Sequence, residues 1–146
     1  MKLQLVLFLA VAGFASAQRL FNILESCTNA DACRTALNQY YESHAPAIQQ
    51  QIDRAGKSVI DCLPEPLQNS PLVQGIQKCF STVARTNTLN ALKAFTDDVA
   101  NGVPNCSTAQ ECFSGATDTF NSARNTLDDA VGKTSDALNE CLEDDN

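Results

Sequence analysis

The chain has no tryptophan, two tyrosines, one histidine and one methionine, the initiator. So few aromatics leave no stacking platform for sugars and no aromatic cage for a quaternary ammonium group. With His44 the single histidine, and without a Cys-x-x-Cys, a zinc site has nothing to stand on. His44 as a general base would need a nucleophile and an orienting partner. It falls on an apolar stripe beside Pro46, and a structural histidine is the expectation. Asp128-Asp129 and Glu143-Asp144-Asp145 lack the alternating oxygen ligands and turn glycine of a calcium loop, so they read as solvated charge. No metal, no cofactor and no catalytic residue is expected, and the chain is read as a non-enzyme.

Long apolar runs are also scarce. The one candidate is at the start, where Met1-Lys2 precedes an apolar stretch over residues 3–15, broken by Gln4 and Gly13, that ends in Ala15-Ser16-Ala17. A basic start, a short apolar run and an A-x-A end predict a secretory signal peptide cut before Gln18, whose new terminal glutamine would cyclise. The run is short for a membrane span, and no second one follows. The expectation is a secreted, extracellular chain of residues 18–146. Its basic residues are unevenly placed. Residues 18–96 carry 7 basic and 6 acidic side chains, whereas residues 97–146 carry 2 and 11. Such a surface disfavours nucleic acid and anionic membranes as partners.

Against these absences stand seven cysteines: Cys27, Cys33, Cys62, Cys79, Cys106, Cys112 and Cys141. In an oxidising compartment this density means disulfides before metal or catalysis. The gaps Cys27 to Cys33 to Cys62 recur as Cys106 to Cys112 to Cys141, displaced by 79 positions. Neighbours match without a gap, Cys27-Thr28-Asn29-Ala30 with Cys106-Ser107-Thr108-Ala109 and Asp61-Cys62-Leu63 with Glu140-Cys141-Leu142. Most matched positions are apolar, so a packing scheme is what repeats. The expected organisation after the signal is one helical domain: unit one (18–84), a connecting helix (85–101) and unit two (102–146).

Local signals are helical throughout. Thr28-x-x-Asp31 and Ser107-x-x-Gln110 have the form of capping boxes. Apolar residues then step by three and four from Cys33 to His44 and from Ile48 to Cys62, with a break expected at Pro46, and Pro64 and Pro66 end the run. Leu72, Val73, Ile76, Cys79, Phe80 and Val83 form one further stripe, and Leu89, Leu92, Phe95 and Val99 the next. Asn101-Gly102 before Pro104 reads as a stop. From Phe113 to Cys141 the rhythm leaves open one long helix or a hairpin near 121–125, with Gly132 a second place for a break. The fold class is all-α, a disulfide-stapled bundle of about five to seven helices with an internal two-fold repeat.

A hairpin turning at His44-Ala45-Pro46 would bring Cys33 to Cys62 and, by the repeat, Cys112 to Cys141. Cys27 and Cys79 would make a third bridge. Cys106 is then the odd cysteine, free, linked to another chain as a disulfide-linked homodimer, or paired with Cys27 or Cys79 in a different scheme. Asn105-Cys106-Ser107 fits a glycosylation sequon at Asn105. The two Cys-Leu helix ends followed by acid, Cys62-Leu63-Pro64-Glu65 and Cys141-Leu142-Glu143-Asp144, resemble the insect haemolymph glycoprotein family. That likeness covers a small part of the chain, the cysteine spacing departs from the family, and no residue role is carried over. The first functional expectation is a binding or carrier protein for an apolar small molecule, with Phe113, Phe120 and Leu127 lining its cavity. The second is a secreted protein-interaction or defence factor acting through its surface, and an extracellular enzyme comes last.

Overall fold

The computed structural model describes residues 11–144. The first part of the expected signal segment and Asp145 of the acidic tail lie outside the described residues. Those described are helical almost throughout, with no strand among them. In chain order come α1 (Ala17–Glu25), α2 (Ala30–Asp61), α3 (Glu65–Gln68), α4 (Pro71–Lys78), a π-helical segment (Cys79–Ala84), α5 (Arg85–Gly102) and α6 (Ala109–Asp144). Residues 11–14, ahead of α1, are helical too.

Pro46 does not make the expected turn, because α2 runs through it as one helix of 32 residues. The missing N–H and the ring clash cost about 3 kcal/mol in a helix interior. Tyr40 precedes the proline and Ile48 and Ile52 follow it, all three buried. Burying side chains of this size contributes roughly 1.5–3 kcal/mol each, so tertiary packing outweighs the local break. Helix α6 is likewise unbroken over 36 residues, passing 121–125 and Gly132 without a turn.

Two continuous helices overturn the expected disulfides. Cys33 and Cys62 lie 29 positions apart on or at the end of α2, which sets them about 43 Å apart along the axis. A bridge needs Cα atoms within about 7 Å. Neither Cys33–Cys62 nor Cys112–Cys141 forms, and Cys27 does not pair with Cys79. The bridges are Cys27–Cys33 and Cys106–Cys112, each with Cα atoms 5.3 Å apart, and Cys79–Cys141 at 5.8 Å. Cys106 is therefore bonded within the chain, which removes it as the link of a homodimer. The free cysteine is Cys62, exposed at the C-cap of α2.

The helix starts sit one residue later than expected. Asn29, not Thr28, caps α2, its Oδ1 accepting from the Ala32 N–H at 2.8 Å. At α6 the Thr108 Oγ1 accepts from the Glu111 N–H at 3.2 Å, and the Glu111 carboxylate accepts from the Ser107 N–H at 3.2 Å. Each pair satisfies N–H groups that the first turn leaves orphaned. In each half a six-residue cysteine bridge straddles the cap and fixes the chain entering the long helix.

Between the long helices, α4, the π-helical segment and α5 form one continuous helical run over residues 71–102. Ile76, Phe80, Ala84, Thr88 and Leu92 are all buried at steps of four. In a regular α-helix successive steps of four drift around the axis, because a turn takes 3.6 residues. The wider π turn takes up that drift and joins the two apolar stripes that the sequence separates. The expected inward positions Val83 and Leu89 are only half-buried as a result. Phe80 fits because Gly56 of α2 faces it, where a Cβ would lie 2.9 Å from the ring.

The end of α5 is held by close approach and by one arginine. Gly102 has no positive φ; its role is space, since a Cβ there would meet Thr119 at 2.1 Å. A Cβ on Gly115 would meet the Pro104 ring at 2.2 Å. Arg34 of α2 donates from Nε to the Ala100 carbonyl and from Nη2 to the Val103 carbonyl, both at 3.3 Å. These are carbonyls at a helix end, where intrahelical donors run out. Helix α5 packs chiefly on α6 and α2, and α1 lies along α6.

Candidate functional site

Helix α1 is short and strongly one-sided. Ser16 caps it, its Oγ accepting from the Arg19 N–H at 3.3 Å. Leu20 and Leu24 are buried, while Phe21 is 41% exposed. Phe21 lies over Phe113 of α6, with ring centroids 4.1 Å apart. Beneath this pair is an apolar cleft of about 200 Å³ bounded by α1, α5 and α6. Leu20, Leu24, Val99, Ala116 and Phe120 form its walls, and Thr117 and Asn121 stand at its edge. A cavity of about 150 Å³ holds a benzene ring, so this cleft is of the size for one or two rings or a short alkyl chain. Phe120 is in turn set edge-on to Phe95 at 6.0 Å.

Of the three residues expected to line a cavity, Phe113 and Phe120 do so. Leu127 does not; it is 1% exposed and belongs to the closed core. On a straight α6 it stands two turns beyond Phe120, a displacement that the open choice between hairpin and helix concealed. The sequence reading missed Leu20, Phe21 and Leu24 because that segment was passed over between signal and first cysteine. Their spacing of three and four was the available signal.

Beside the cleft, the segment ahead of α1 fills a second apolar seat. Val11, Phe14 and Ala15 are buried. The Phe14 ring is 4.7 Å from that of Tyr40, and meets Tyr41 and His44 edge-on at 6.3 and 6.4 Å. Two donors hold its backbone: the Tyr40 hydroxyl donates to the Phe14 carbonyl, and Arg124 Nη1 donates to the Ala15 carbonyl at 2.7 Å. Burial pushes the Tyr40 hydroxyl above the usual tyrosine range, against the pull of the nearby Arg19, so it stays protonated as a donor. His44 Nδ1 lies 2.9 Å from the Tyr40 carbonyl and its ring stacks near Tyr40 at 4.3 Å. That is a packing role.

Asn105 is exposed in the turn before α6, next to the bridged Cys106. Among the described residues no group of three or more His, Cys, Asp or Glu side chains is gathered to hold a metal ion. No described helix is long and apolar enough to cross a membrane. No protein-family model matches the chain. No match is found among curated proteins or among solved structures.

Proposed function

We propose that this chain is a secreted, non-enzymatic carrier of an apolar small molecule, held in the cleft between α1, α5 and α6. The observation that carries the reading is the apolar cleft itself, walled by Leu20, Leu24, Val99 and Phe120 and roofed by the Phe21–Phe113 pair. Three disulfides among seven cysteines support an extracellular setting. The two cysteine-bridged, side-chain-capped starts of α2 and α6 support reading residues 18–84 and 102–146 as copies of one unit, joined by the helix at 85–101. A protein-interaction factor would need a contiguous apolar patch outside the cleft. The large exposed apolar residues among those described are Phe21 and Leu67, on different helices, which favours the cleft.

Titration with aminonaphthalene, a small fluorescent apolar probe, tests the reading. We expect saturable one-to-one binding that Phe21→Asp weakens at least tenfold. Phe21 is exposed enough that the substitution leaves helicity by circular dichroism unchanged. Absence of binding, or binding indifferent to Phe21→Asp, refutes the carrier reading.

A further inference from the structure

The lining of the cleft between α1, α5 and α6 holds no ionisable side chain among the described residues. Its walls are Leu, Val, Ala and Phe, and its two polar members, Thr117 and Asn121, are neutral. A charged ligand seated here would leave water with no opposite charge to meet, at a cost that apolar walls do not offset. Phe21, Phe113 and Phe120 are all in the lining, and their faces and edges offer offset or edge-on contacts to another aromatic ring.

The polar edge has a definite donor and acceptor pattern. The Thr117 hydroxyl donates to the Phe113 carbonyl at 2.8 Å, which leaves its oxygen to accept. Asn121 carries two N–H donors and a carbonyl acceptor, and no described group hydrogen-bonds to them. Four residues apart on α6, the two side chains stand one above the other, with Cβ atoms about 5–6 Å apart. A single oxygen about 2.8 Å from each polar group spans that gap. A hydroxyl suits the position, because it donates to Thr117 Oγ1 and accepts from Asn121 Nδ2. An ether or ketone only accepts. A carboxylate sets a negative charge against the Thr117 lone pairs.

We propose that the cleft selects a neutral aromatic alcohol of one or two rings, whose hydroxyl bridges Thr117 and Asn121 while its ring lies beneath the Phe21–Phe113 pair. Thr117 and Asn121 are then the residues that set specificity. The inference deepens the carrier reading and rests on it. Every lining residue follows Gln18, so the same residues are present with or without residues 1–17.

The experiment compares three probes built on one ring system at neutral pH: β-naphthol, its methyl ether and β-naphthoate, each followed by its own fluorescence. We expect β-naphthol to bind one-to-one, about fivefold tighter than the ether, the worth of one hydrogen bond. It should bind about tenfold tighter than the naphthoate, whose charge finds no partner. Thr117→Val should bring naphthol level with its ether. Asn121→Leu should weaken both by about fivefold and leave the difference between them. Both positions are exposed, so helicity by circular dichroism should be unchanged and serves as the folding check. Equal affinity for naphthol and its ether, or for naphthol and naphthoate, overturns the proposal. So does a preference that survives Thr117→Val, or indifference of both ligands to Asn121→Leu. If aminonaphthalene binds and depends on Phe21 while naphthol is no tighter than its ether, the carrier reading stands and hydroxyl selection falls. If neither aminonaphthalene nor naphthol binds, both fall.

Discussion

Cys62 ends α2 at a point where nothing can reach it from within. The other six cysteines are bridged, and Cys62 is exposed in the turn that leads to Pro64. Native protein should therefore take up one maleimide without unfolding, and Cys62→Ser should take up none, as read by intact mass. Because the side chain is exposed, its substitution should shift stability by no more than about 0.5 kcal/mol. A labelled Cys62→Ser variant would mean that one of the three bridges is open. The same residue shows where the sequence reading went astray. Two cysteines at comparable distances on either side of a proline look like partners in a hairpin, and the inference fails once the helix between them is continuous.

At the scale of the element, glycine separates positions by what surrounds them. Gly132 lies mid-helix in α6 with nothing within 4 Å of a built Cβ. Gly132→Ala should raise stability by about 0.5–1 kcal/mol, since it removes the entropy that glycine loses on entering a helix. Gly115→Ala on the same helix should lower it by about 1–3 kcal/mol, because the stiff Pro104 ring cannot move out of the way. Urea denaturation of the two variants gives opposite signs if the α5–α6 corner is packed as described. Helix faces, the helix ends ahead of Pro64 and Pro104 and the placement of both caps to within one residue were legible in the sequence, because periodicity and capping are local. The path through Pro46 was not legible, since packing from elements distant in sequence overrides a local cost of about 3 kcal/mol. Nor was the π-helical segment, which shows only as a run of buried steps of four. In the site, Phe113 and Phe120 were found from their stripe. Leu127 shared that stripe, and only the neighbouring helices decide which part of it is covered.

At the scale of the molecule, three bridges do unequal work. Cys79–Cys141 spans 62 positions and ties the π-helical segment to the last turns of α6. The chain-entropy model gives it about 4 kcal/mol, against about 2 kcal/mol for each six-residue bridge. Replacing Cys79 and Cys141 together by alanine should thus cost about twice as much as replacing Cys27 and Cys33, measured by chemical denaturation of each pair. Equal costs would show that the short bridges do more than close a small loop. The length of α6 has a further consequence in solution. Thirty-six residues of helix extend about 54 Å, whereas a sphere with the radius of gyration of a compact chain of 146 residues, near 15 Å, is about 40 Å across. A molecule with one dimension longer than that sphere elutes slightly earlier from a sizing column than its mass alone implies. Sedimentation equilibrium, which is blind to shape, is the measurement that counts its chains.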